Sequence, residues 1–239
     1  MMKIDDIKKK AMTKEKNNKD KADIFTYYVF RPLSNVLAIP FIRLGVSATT
    51  ITKVSVVFDF LAYLLIIFSS VKIFYIYGMI CLLIWNILDH IDGTVARYTN
   101  TCSKIGELWD SVGGYFATFI LYNSIGIIAF RGNNIIQIPN IPNYAFLLFG
   151  NLAAFFLLFP RLVMHKKENL ENKLGVKGIS DKENFNLTKL IVRNLISING
   201  IGFVIGLCSI IFDLTNICII FYFFINLIIF LGTLKKMLF

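Results

Sequence analysis

Long apolar runs separated by short polar breaks occupy most of this 239-residue chain. Runs near residues 50–71, 73–92, 106–130, 144–164, 190–212 and 214–234 each approach the length a helix needs to cross a bilayer, about 20 residues. Backbone polar groups in hydrocarbon must be satisfied internally, and a helix does so within its own segment. The pattern predicts an all-α fold, an integral membrane bundle of six transmembrane helices. Ser47, Thr49 and Thr50 offer N-caps for the first span. Pro139, Pro142 and Gly132 mark the turn between the third and fourth, and His165 to Lys189 is the largest polar insertion. Upstream, Ile24 to Ser47 mixes aromatic and aliphatic residues with Arg31, Pro32, Asn35, Pro40 and Arg43. It is too interrupted to span and reads as an interfacial amphipathic segment, broken at a proline. The Lys-rich first 23 residues lack the apolar core of a signal peptide and read as a solvated, disordered arm. The expected organisation is an arm at 1–23, an interfacial segment at 24–47 and a six-helix transmembrane domain at 48–239.

Composition agrees with the pattern: 56% of residues are hydrophobic and only 17% charged, against about 25% in soluble domains. The net charge of +10 raises the question of nucleic acid, but its distribution answers no. Of 25 basic residues, only Lys72 and Arg131 fall on one face of the predicted topology, the rest lying on or near the other. By the positive-inside rule the arm, the loop with Arg97 and Lys104, the insertion after Arg161 and the tail with Lys235 and Lys236 are cytoplasmic. Both termini are then cytoplasmic, and the expected location is a bacterial inner (cytoplasmic) membrane. No internal repeat suggests the inverted halves of a transporter, which ranks last among the functional readings. Three of the four cysteines lie in apolar runs, and none has metal-site spacing.

The chemistry concentrates at the end of the second span and the start of the third, in Asp89-x2-Asp92-Gly93-x2-Ala96-Arg97-x8-Gly106-x3-Asp110. Asp89 and Asp92, three apart, share one helical face, and a short connection brings Asp110 of the next antiparallel helix to the same boundary. Acids at this depth are costly without a partner or a purpose. Converging carboxylates with no thiolate or histidine pair suit a hard cation, Mg2+ or Mn2+. Gly93 and Ala96 leave room for a ligand near the backbone, and Arg97 presents a fork suited to phosphate. Together they describe a pyrophosphate site. The bland alternative pairs Asp89 and Asp92 with Arg97 and Lys104 at the membrane edge.

The same stretch resembles the signature of the CDP-alcohol phosphotransferase family, D-x2-D-G-x2-A-R-x8-G-x3-D-x3-D, matching every fixed position from Asp89 through Asp110. The resemblance extends weakly over residues 24–234, since family members have six helices after an interfacial segment. It implies attack of an acceptor hydroxyl, on a lipid or a polar molecule, on the phosphorus of a CDP-alcohol donor, with release of CMP in phospholipid or related lipid or glycan biosynthesis. It implies Asp89, Asp92 and Asp110 as metal ligands and Asp92, Gly93, Ala96, Arg97 and Gly106 around the nucleotide. Many relatives are dimers, so a homodimer is expected.

The chain departs from the pattern in two places. The fourth aspartate, which the family is proposed to use as general base, is Gly114 here, and the S-P-N-x-x-T before the first helix is Ser47-Ala48-Thr49-Thr50-Ile51-Thr52. A catalytically inactive member that binds a CDP-alcohol or a metal is therefore the alternative reading. Asp59 in the first span is a weak candidate for a substitute base, Glu107 another, and His90 reads as packing. Arg161 and Arg193 flank the polar insertion; the resemblance makes them candidates for an acceptor-phosphate pocket, and the positive-inside rule is the simpler explanation of each.

Overall fold

The computed structural model describes residues 4–13, 17, 18, 20–132, 134–173 and 187–238. Among them there is no strand. α1 (Ile4–Ala11) is followed by a π-helical turn (Thr26–Phe30), α2 (Arg31–Arg43), α3 (Ala48–Phe68), α4 (Lys72–Thr99) and α5 (Lys104–Phe130). Then come α6 (Tyr144–Lys173), α7 (Leu187–Ile196), α8 (Ile201–Ile211) and α9 (Thr215–Leu238). The all-α membrane class is as expected: α3, α4, α5, Tyr144–Lys167 of α6 and Thr215–Lys235 of α9 are each long and apolar enough to cross a bilayer.

Three expectations need correction. The span expected at 190–212 is not one straight helix: Leu190–Ile196 and Ile201–Ile211 meet at 45° and make a sixth span only when taken together. The break falls at Ser197 to Gly200, where the Ser197 carbonyl accepts from the Gly200 amide at 3.1 Å and its hydroxyl from the Asn199 amide at 3.2 Å. Ser, Asn and Gly compete locally with the helical ladder. The arm, expected to be disordered, carries α1, whose Ile7 and Ala11 lie four apart on one side and are buried. Nor does Pro40 break the interfacial segment; α2 runs through it to Arg43, while Pro32 sits in the first turn, where a missing N–H is tolerated.

The chain divides into two compact units. The first comprises Met1–Ala117 and Leu190–Val204 and contains the whole Asp89–Asp110 stretch. Ser47 caps α3 by accepting from the Thr50 amide at 3.1 Å. α3 and α4 pack antiparallel and very close at Gly78, where a Cβ would stand 3.0 Å from the Ala62 carbonyl oxygen and 2.7 Å from the Ile66 side chain. Near the other end of the pair, Ala38, Ile51, Ile91 and Val95 form a buried cluster that joins α2, α3 and α4. This cluster anchors the turns of α4 that carry the acidic residues. The interfacial segment is tied to the bent pair by Asn194, whose Oδ1 accepts from the Ile24 amide at 2.8 Å and whose Nδ2 donates to the Ala22 carbonyl at 3.0 Å.

The second unit comprises Thr118–Lys189 and Ile205–Phe239. α5 and α6 meet backbone to backbone, a Cβ on Gly126 standing 2.7 Å from the Phe146 carbonyl oxygen and 3.0 Å from the Gly150 Cα. Asn123 donates to Asn151 at 2.8 Å in the same interface. Asn226 of α9 donates to the Ala153 carbonyl at 3.0 Å, and Phe223 packs on Phe149 and Phe156. Phe221 and Phe224 remain exposed.

Candidate active site

The site is built where α4 ends and α5 begins. Asn100 takes the left-handed conformation, φ 56°, and stops α4; the Thr101 amide then bonds the Ala96 carbonyl at 2.9 Å. Ser103 starts α5, its hydroxyl accepting from the Gly106 amide at 3.0 Å and its carbonyl from the Glu107 amide at 3.0 Å. Gly106 thus belongs to the first turn of a capped helix. This tight reversal brings Asp110 back within reach of Asp89, and Asp92 is within electrostatic reach of both. Asp92 is buried and accepts from Thr52 Oγ1 at 2.5 Å, while the same hydroxyl also contacts the Ala48 carbonyl at 3.0 Å. Asp89 is half-buried and Asp110 exposed.

Asp89, Asp92 and Asp110 thus lie within electrostatic reach of one another. Like charges this close in a poorly hydrated setting call for a compensating cation, and oxygen donors favour a hard one. By donor chemistry the residues fit a divalent ion. In the spacing they adopt here, no group of three or more His, Cys, Asp or Glu side chains among the described residues is arranged to hold one.

Arg97 makes contacts within the protein that its spacing did not announce. A Cβ on Gly93 would stand 3.0 Å from Arg97 Nη1, so the glycine admits the protein's own guanidinium rather than open solvent. Arg97 Nε donates to the Ala11 carbonyl, at the end of α1, at 2.8 Å. Ala96, one residue earlier, is half-buried. A second arginine was missed: Arg31 is buried, its Nε donating to Asp20 Oδ2 at 2.6 Å, and it lies within electrostatic reach of Asp89 and Arg97. Its only sequence signal was a cation set among aromatics just before a proline, which reads equally well as an interfacial anchor. Thr52, which stands at the threonine of the S-P-N-x-x-T pattern, was given no role, because the pattern does not name its partner.

Gly114 faces open space: a Cβ there would meet nothing within 4 Å. Asp59 is fully buried on α3, and neither of its carboxylate oxygens has a hydrogen-bond partner among the described residues. His90 is packing, as expected, stacked on Phe30 with centroids 5.0 Å apart and with Nδ1 2.8 Å from the Asn86 carbonyl. Glu107 is exposed. Arg161 and Arg193 are both exposed, the first in the second unit and the other in the first.

Among protein families, the sequence model for CDP-alcohol phosphatidyltransferases matches residues 46–178, more than half of the chain. No curated protein matches it.

Proposed function

The chain belongs to the CDP-alcohol phosphatidyltransferase family, and from that membership we propose that it transfers a phospho-alcohol group from a CDP-alcohol to an acceptor hydroxyl, releasing CMP. The observation that carries the proposal is the meeting of Asp89, Asp92 and Asp110 across the α4–α5 reversal, within the matched residues. Family members generally use a divalent cation, and here those three side chains are the ones that would hold it. Bound there, Mg2+ or Mn2+ would neutralise charge on the pyrophosphate being cleaved.

The chain's own groups supply the rest. Thr52 fixes the Asp92 carboxylate from α3. Such outer partners set the orientation of the groups they touch. Arg31 and Arg97 place two positive charges within electrostatic reach of the acids, the charge a nucleotide pyrophosphate needs. Gly93 lets Arg97 fold against the helix, and Gly106 and Ala96 shape the reversal. Arg161 and Arg193 remain proposed acceptor contacts. The setting we propose is lipid synthesis at a bacterial inner membrane by a homodimer, with both termini and the active site toward the cytoplasm.

The test is purified protein supplied with a panel of CDP-alcohols and hydroxyl acceptors. We expect CMP release that needs Mg2+ or Mn2+, stops with a chelator and is abolished by Asp89→Asn. If no donor and acceptor pair releases CMP although a CDP-alcohol binds, the transferase reading is wrong. A binding-only member of the family then takes its place, the reading that the empty space at Gly114 favours.

A further inference from the structure

One helical turn deeper than the motif carboxylates lies a layer of polar groups that the motif does not use. Two contacts fix the register of α3 against α4: Thr52 with Asp92 at one level, and Ala62 and Ile66 with Gly78 at the other. Antiparallel helices pinned at these points bring position 59 level with position 85. On the other side of α4, Asp110 meets Asp89, and a Cβ on Gly113 would stand 3.4 Å from Trp85 Nε1 and 3.5 Å from Val56 Cγ2. Asp59, Trp85, Gly113 and Gly114 therefore occupy one layer, about 6 Å along the axis from Asp89 at 1.5 Å per residue.

Within that layer two polar side chains are sealed and unsatisfied. Asp59 is 0% exposed and Trp85 1% exposed. Neither Asp59 oxygen nor the Trp85 indole nitrogen has a hydrogen-bond partner among the described residues. In a membrane interior each such group costs free energy until something pairs with it. One is an acceptor and the other a donor. A hydroxyl is the simplest group that answers both, since it donates one hydrogen bond and accepts others. On the α5 side Gly113 lets the backbone lie directly against the indole edge, and one residue on the space opens, since a Cβ at Gly114 would meet nothing within 4 Å.

We propose that Asp59 and Trp85 form the subsite for the acceptor's hydroxyl, and that Asp59 takes its proton. This rests on the transferase reading above. The hydroxyl oxygen forms the new bond to phosphorus, the bond from phosphorus to the CMP oxygen breaks, and CMP leaves with that electron pair. The hydroxyl proton passes to the Asp59 carboxylate and is returned to water once product has left. Trp85 N–H holds the attacking oxygen in place. The carboxyl group that α5 lacks at position 114 is thus supplied from α3 at the same depth, and the glycine's space admits the acceptor.

The test compares wild type with Asp59→Asn, Trp85→Phe and the double variant Asp59→Asn with Gly114→Asp. Glycerol phosphate, an inositol phosphate and diacylglycerol in mixed micelles serve as acceptors, and CMP release, CDP-alcohol binding and thermal midpoint are all measured. Asp59→Asn should lower kcat by about 10^2–10^4-fold and leave donor affinity and midpoint close to wild type. Trp85→Phe should raise the acceptor KM more than it lowers kcat. Gly114→Asp should restore part of the turnover lost in Asp59→Asn, which a purely structural role for Asp59 does not predict. Acceptor alone should raise the midpoint of wild type but not of Asp59→Asn. Wild-type turnover in Asp59→Asn overturns the subsite while leaving the transferase reading intact, and so does a joint loss of turnover and donor binding. Absence of CMP release from wild type overturns the transferase reading and the subsite with it.

Discussion

Thr52 shows what a single hydroxyl does at this site. It is buried in α3 and directed at Asp92, so it holds one carboxylate oxygen in a fixed place. Thr52→Val keeps the shape and removes the donor. Divalent-cation affinity, read by titrating metal against CMP release, should fall by about 10- to 100-fold, the usual effect of losing an outer-layer hydrogen bond. Asp59 gives the opposite case, a polar side chain that the resting fold does not satisfy. Asp59→Leu should abolish turnover yet stabilise the protein by about 1–3 kcal/mol, the scale of an unmade buried hydrogen bond. A thermal melt in detergent checks this, and a lower midpoint would mean that Asp59 has a structural partner. At this scale the sequence spoke clearly for Asp89, Asp92 and Asp110, because their spacing is itself a geometric statement. It said little about Arg31 and Thr52, whose roles come from partners 11 and 40 positions away in the chain.

The elements before the first span do more than anchor the chain. Asp20 and Arg31 form a buried ion pair, with Nε to Oδ2 at 2.6 Å, and α1 ends against Arg97. Removing one partner of such a pair leaves an uncompensated buried charge. Arg31→Ala should therefore destabilise the protein by about 3–5 kcal/mol, and Asp20→Asn added to it should recover part of the loss. Urea melts of the single and double variants measure both. A Lys-rich segment reads as solvated when taken alone, because its few apolar residues have nothing to pack on. Only the surfaces of α2 and α4 make Ile7 and Ala11 core positions. The break between α7 and α8 follows the same logic. Ser197 and Asn194 there bond to Asp23, Ala22 and Ile24, residues more than 160 positions earlier. The turn-forming residues at 197–200 were visible, but hydropathy outweighed them.

For the whole molecule, the distribution of Lys and Arg makes a prediction that single-cysteine labelling in a cysteine-free background can check. Lys166→Cys should react from the cytoplasmic side and Asn140→Cys from the opposite side, both positions being exposed. Labelling of both from one side would refute an odd number of crossings between them and the orientation with it. Some properties were fixed by the chain alone, namely the membrane class, the number of apolar runs and the acidic motif. Hydrocarbon length and helical period act on neighbours in sequence, so no distant partner is needed to express them. Other features were decided only by tertiary structure: Arg97 folded over Gly93 and tied to α1, Arg31 drawn in beside Asp89, Thr52 on Asp92, and Asp59 level with Trp85 and the two glycines. These depend on which helices pack and in what register. That is a balance of close backbone approach and buried polar contact between segments far apart in the chain, and local pattern carries no record of it.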